Sequence, residues 1–178
     1  MKTLSYFQYD DEGDKSTHVL FNVEDDDAQD ALNEVNKFNK DLDDWHERRK
    51  VARTTAGLEF PRPTKEENMA LLNEEQLLLI EEYNRNFKNG KPIETEKCGD
   101  EFVLVTWSNN EQKLYVEARQ SIEQLRDERN NQRNNRIDEL CPAFDVAKYN
   151  PMIQEAFEQR HYLPDVFIAD CIVYKPMK

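Results

Sequence analysis

The sequence predicts an α+β fold dominated by helices, with long amphipathic helices packed on a small, mainly antiparallel sheet. Three observations carry this. Apolar residues recur at steps of three and four over long stretches. Short alternating or fully apolar segments stand near the start, in the middle and at the end of the chain. Hydrophobic residues make up 38% and charged residues 34%, which suits two-faced helices with wet outer sides better than a deep core. A chain of 178 residues suits a single domain, 1–178. Its expected sub-elements are an acidic hairpin plus long helix (1–54), a helical part (64–90), and a sheet-containing part with a protruding polar helix (101–178).

Residues 3–9 (TLSYFQY) and 17–23 (THVLFNV) alternate and are rich in aromatic and β-branched types, with the polar DDEGDKS between them. They read as an antiparallel hairpin. Glu24 to Asp27 then suit a helix start, where acids meet the positive dipole end. Ala28, Ala31, Leu32, Val35, Phe38, Leu42 and Trp45 follow at helical spacing, and Arg48, Arg49, Lys50 and Arg53 suit a helix end. A continuous helix over about 27–54 is predicted, with 55–63 (TAGLEFPRP) as a linker. Thr64 with Glu67 forms a capping-box pattern for the next helix, and Asn73 to Gln76 predicts a second start near 73. Asn89-Gly90 reads as the stop.

Residues 91–101 read as a loop, 102–107 (FVLVTW) as an apolar strand, Ser108 to Asn110 as a turn, and 112–117 (QKLYVE) as a returning strand. A helix over about 118–140 follows, polar all round from 126 to 136 and ended by Pro142. A short helix over 151–160 and a central strand over 166–174 (VFIADCIVY) complete the reading. Segments 17–38 and 112–130 share an order of strand and helix, which raises a duplicated ββα unit as an alternative.

Most catalytic chemistries lack their residues here. The glycines Gly13, Gly57, Gly90 and Gly99 make neither GxGxxG nor GxxxxGK, so no phosphate-cradling loop is expected. Cys98, Cys141 and Cys171 form no CxxC pair, which points to reduced structural thiols and not to a disulfide or thiolate zinc site. His46-Glu47 opens like HExxH, but Lys50 stands where the second histidine is needed. Asp10 to Asp14 resembles a calcium loop, yet the twelfth position is Phe21, not a bidentate Glu. Cys171 with His161 and Asp165 or Asp170 could form a nucleophile set, but Cys171 sits in an apolar run and reads as core. No signal-peptide core and no membrane span are expected, so the cytoplasm (a host's, if the protein is viral) is the expected location. No metal, catalytic residue or cofactor is expected.

The charge map is the informative feature. The net charge is −13, and residues 1–47 hold fourteen acids against four bases, a net of −10. On the long helix, Asp26, Asp27, Asp30, Glu34, Asp41 and Asp44 form the expected partner-binding acidic face. Arg119, Arg126, Arg129, Arg133 and Arg136 form a second candidate surface, the last four along one helical stripe. That stripe reads as a solvated face with local pairs, as a match for an acidic helix in this chain or a second copy, or as a grip on phosphate or an acidic partner. The expected function is therefore an acidic, non-enzymatic interaction or regulatory protein that binds a basic protein surface. Its extreme form is an inhibitor, viral or from a mobile element, that mimics nucleic-acid charge against a nucleic-acid-binding enzyme. Direct nucleic acid and membrane are not expected as partners. The alternatives are a structural protein assembling into homo-oligomers through its helices, and an enzyme with an unrecognised carboxylate site.

Overall fold

A computed structural model describes residues 1–88 and 94–170, and over them the fold is the expected helix-dominated α+β. The chain gathers into two compact units, Met1–Lys50 with Cys141–Lys178, and Val51–Leu140. Each is described by itself.

The first unit opens with β1 (Lys2–Tyr9) and β2 (Lys15–Val23), the expected antiparallel hairpin. Its turn is set by Asp10, whose carboxylate accepts the backbone N–H groups of Glu12 and Asp14 at 3.0 and 2.8 Å. Gly13 takes φ 87°, a conformation that side chains resist. The register slips between Leu4 and Ser5, which leaves Leu20 as an extra residue on β2. β5 (Phe167–Asp170) pairs antiparallel with β1, so the order is β2-β1-β5. This corrects the expectation of 166–174 as a central strand: among the described residues β1 lies in the middle and β5 at an edge, and 171–174 lie outside the described residues. Leu4 on β1 packs with Val35 and Phe38 of the long helix α1 (Ala28–Glu59) and with Ile153 and Ala156 of α5 (Pro151–Arg160). Phe38 is fully buried and meets Phe144, Tyr149 and Phe157 edge-on at 5.5, 4.8 and 5.2 Å between ring centroids. Helix α5 has the expected bounds: Asn150 caps it by accepting the Met152 N–H, Pro151 stands in its first turn, and His161 ends it at φ 60°.

The second unit begins with the rest of α1. The expected linker from 55 is helical to Glu59. Ala52 and Ala56, one turn apart, are both buried, and this burial outweighs the cost of Gly57 inside the helix. Pro61 and Pro63 then stop it. Helix α2 (Lys65–Ala70) carries the full Thr64–Glu67 capping box. Helix α3 (Glu74–Lys88) starts at the expected break, where Asn73 and Gln76 exchange bonds of 3.2 and 2.9 Å. The Asn89-Gly90 stop lies outside the described residues.

The loop expected over 91–101 holds a strand, β3 (Thr95–Cys98), which turns at Gly99 (φ 63°) into β4 (Glu101–Leu104). The expected strands over 102–107 and 112–117 are both revised. β4 stops at Leu104, and helix α4 runs from Asn109 to Leu140. Ser108 and Glu111 form a reciprocal cap: the Ser108 N–H donates to the Glu111 carboxylate at 2.7 Å, and the Glu111 N–H donates to the Ser108 hydroxyl at 3.4 Å. Once nucleated there, Tyr115 and Ala118 fall on one buried side at helical spacing. The duplicated ββα unit falls with the lost strand. The core of this unit joins Leu72, Leu79 and Ile80 with Val103, Leu104, Trp107, Tyr115 and Ala118.

Phe38→Ala is expected to cost roughly 3–5 kcal/mol, because three aromatic rings lose their common partner. Chemical denaturation measures it. A loss under about 1 kcal/mol would show that the pocket collapses around the gap.

Candidate functional site: an acidic cleft at the start of the long helix

Val23 ends β2, and Glu24 to Asp27 turn the chain into α1, with the Asp27 N–H donating to the Glu24 carbonyl at 3.2 Å. The turn and the first helical residues line a cleft of about 470 Å³ in the first unit. Glu24, Asp27, Asp30 and Glu34 share it with Phe21, Val23, Ala31, Met152 and Ile153. The steps from Asp27 to Asp30 and from Asp30 to Glu34 are what bring three of these carboxylates to one helical side. Asp25 is occupied by the α-amino group of Met1 at 2.6 Å.

The expected acidic face divides in two. Asp26, Asp27, Asp30 and Asp44 are exposed, and no hydrogen bond or ion pair engages their carboxylates among the described residues. Glu34 and Asp41 are half-buried and bonded inside the unit. Glu34 accepts the Asn150 N–H at 2.8 Å, and Asp41 accepts the Tyr149 hydroxyl at 2.8 Å. Burial first, and then the Asp41 carboxylate, push the Tyr149 phenol up to about 12. These two acids hold the segment before α5 against α1, while Asp26, Asp27, Asp30 and Asp44 remain exposed.

The arginines of α4 have a different task from the one a free surface would have. Arg133 donates twice to the Phe60 carbonyl, at 3.2 and 2.8 Å. Arg129 donates to the Pro61 carbonyl at 3.1 Å and to Glu67 at 3.2 Å. Arg136 grips Glu59 through two nitrogens, at 2.7 and 3.3 Å, and reaches Glu139 at 3.1 Å. Arg126 pairs with Glu123 at 3.4 Å and Arg119 with Glu101 at 3.5 Å. Arg48 to Arg53, expected to close α1, lie before its last turn, which contains no base. The α4 arginines supply the missing positive charge and donors at its carboxyl end. The missed signals were Glu59 and the prolines behind it.

The remaining candidates stay apart. His18 stacks on Tyr6 and bonds Ser16, His46 lies against Trp45, and His161 closes α5. Glu47 and Lys50 form a surface pair at 3.8 Å. Cys141 is buried, Cys98 half-buried, and Cys171 lies outside the described residues, so the set with His161 is not assembled on the described residues. Among the described residues no three His, Cys, Asp or Glu side chains are placed to hold a metal ion. No described helix is long and apolar enough to cross a membrane.

Arg136 holds the Glu59 carboxyl below its ordinary value, and the Thr64 N–H, then Arg129, do the same for Glu67. A lowered acid stabilises the fold above its ordinary range, and that stability is lost as pH falls through the folded-state value. Glu59→Gln is therefore expected to lower the melting temperature at pH 7 and to differ less and less from the parent as the pH is taken below the ordinary carboxylate range. A difference that persists unchanged in acid would show that the carboxylate charge is not what Arg136 uses.

No family model, no curated protein and no solved structure matches the chain.

Proposed function

We propose that the protein is a non-enzymatic acidic interaction protein that binds a basic surface of a partner, with the cleft at the start of α1 receiving a lysine or arginine side chain. The observation that supports this is the lining of the cleft: the carboxylates of Glu24, Asp27 and Asp30, with Glu34 bonded to the Asn150 N–H, beside Met1 and apolar side chains, in the region that carries −10 of the net −13. A basic side chain has that same dual character, a methylene stem and a charged head. Exposed carboxylates contribute only about 0–1 kcal/mol each to folding and repel one another, while their summed field speeds capture of a positive surface. Since Glu34 and Asp41 bond inside the unit, fewer carboxylates of the acidic face on α1 are left for a partner, which favours local recognition of basic side chains over imitation of a nucleic-acid strand.

Asp27→Lys with Asp30→Lys should leave the fold intact apart from lost helix-start charge, about 0.3–1 kcal/mol for each favourable charge removed and a similar amount for each unfavourable one added. It should weaken binding of a lysine- and arginine-rich synthetic peptide about tenfold or more, since close charge pairs are worth more than 1.4 kcal/mol when partly desolvated. Glu81→Lys with Asp127→Lys makes the same change in net charge in the other unit. Calorimetric titration at low salt and near 0.15 M compares the two pairs. Equal losses would reduce the cleft to a share of the overall charge and overturn the reading.

A second reading, self-assembly, is favoured by Val51 and Leu58, seven residues apart on α1 and 65% and 79% exposed. Sedimentation of the parent and of Leu58→Asp tests it. A mass that rises with concentration in the parent alone supports assembly through this stripe, and a constant monomer mass removes it.

A further inference from the structure

We propose that β2 is a docking edge that accepts an extended basic segment of the partner as an added strand. This rests on the basic-partner reading and goes further: it names the partner's conformation and the surface that holds it.

The sheet order β2-β1-β5 leaves one side of β2 without a neighbouring strand among the described residues. The strand has nine residues, roughly 30 Å at about 3.3 Å each. Lys15 to Val19 are all exposed. Such an edge offers a row of backbone donors and acceptors and ordinarily carries protection, such as a proline, inward charges, a bulge or a covering loop. β2 contains no proline, and its one extra residue, Leu20, lies beyond this stretch. Its strongly charged residue, Lys15, stands at the very start and lies over the Phe7 ring at 3.4 Å.

Charge selects the occupant. Asp11, Glu12 and Asp14 precede β2, and Glu24, Asp26 and Asp27 follow it, so acids bracket the strand at both ends. A second copy added antiparallel would set the turn acids of one chain against the 24–27 acids of the other, and a parallel copy would set like against like. Both arrangements concentrate negative charge. A segment rich in Lys or Arg meets attraction at either end.

The pleat selects its pattern. Register pairs Phe7 with Thr17 and Ser5 with Val19, so Phe7, Tyr9 and Val19 share one face, and all three are exposed. Phe7 is already stacked on Phe167 at 4.5 Å. An added strand with apolar residues at alternate positions extends that strip to the edge, with basic residues between them. This is strand addition, in which main-chain bonds supply affinity and alternate side chains supply choice.

The test uses the full chain and three synthetic nonapeptides of alternating Lys and Val: one unmodified, one N-methylated on the valines, one on the lysines. In a strand, alternate N–H groups point to opposite edges, so only one methylated set blocks pairing. The expected result is binding of the unmodified peptide, with shifts of the Lys15–Val23 amide resonances. One methylated peptide should bind about tenfold or more weakly and the other within about twofold, the size expected when several main-chain bonds are lost. Equal binding of all three would show charge attraction alone, overturning strand addition while leaving the basic-partner reading in place. Equal loss in both methylated peptides, or shifts confined to other residues, would also overturn it. Failure of the unmodified peptide while the lysine- and arginine-rich peptide binds removes the edge. Failure of both removes the basic-partner reading itself. Dimerisation of the chain alone with β2 amides protected would assign the edge to a second copy.

Discussion

The carboxyl end of α1 closes on arginines from another helix, and the second unit is arranged around that closure. A helix end leaves carbonyls without internal partners and gathers negative potential. In α1 this is sharpened by Glu59 in the last turn and by prolines that forbid a further turn of backbone bonding. Arg133 answers the Phe60 carbonyl, Arg129 the Pro61 carbonyl, and Arg136 the Glu59 carboxylate. The planar fork of the guanidinium holds its donors in one fixed geometry, whereas a lysine would offer a single rotating ammonium. The same Arg129 also reaches Glu67, which belongs to the capping box of α2. One row of arginines thus ties the end of α1 to the start of α2. This explains why α4 turns polar all round from 126 to 136 without becoming a loose helix: its stripe is occupied by directed bonds in place of an apolar face.

The first unit solves a related problem with acids. Its aromatic cluster around Phe38 needs Tyr149 in place, and the Tyr149 hydroxyl must find a partner once half-buried. Asp41 provides it. Glu34 provides a partner for the Asn150 N–H one residue later. Two carboxylates from a strongly acidic helix are therefore spent on the fold, and the rest of that charge remains on the surface. The division follows from distance to the aromatic core: the acids at 34 and 41 flank Val35 and Phe38, whereas those at 26, 27, 30 and 44 lie toward the ends of the packed stretch.

Much of the architecture was legible along the chain because it is built from local signals. The hairpin turn of β1 and β2, the Thr64 cap, the Asn73 break and the start of α5 each rest on side chains bonding to backbone within a few residues. Ser108 to Glu111 is the same kind of signal, and a turn reading of Ser-Asn-Asn hid it. The apolar residues Leu114 and Val116 then looked like strand alternation, although on the helix Tyr115 and Ala118 are buried in the core and Leu114 and Val116 pack against it half-buried.

By itself the sequence determined the helix-dominated fold class, several of the local helix starts, and the concentration of negative charge before residue 48, since composition and short-range capping need no partner from afar. Only the tertiary structure decided which charges face water. Glu34 and Asp30 look alike in spacing, yet one bonds Asn150 and the other bonds nothing among the described residues. The spacing of the α4 arginines leaves a solvated face, a match within this chain and a partner surface all open until the end of α1 is seen beside them, 73 residues away in sequence for Arg133 and Phe60. Pairings over such separations depend on how packed elements meet, and helical periodicity carries no record of which neighbour a side will find.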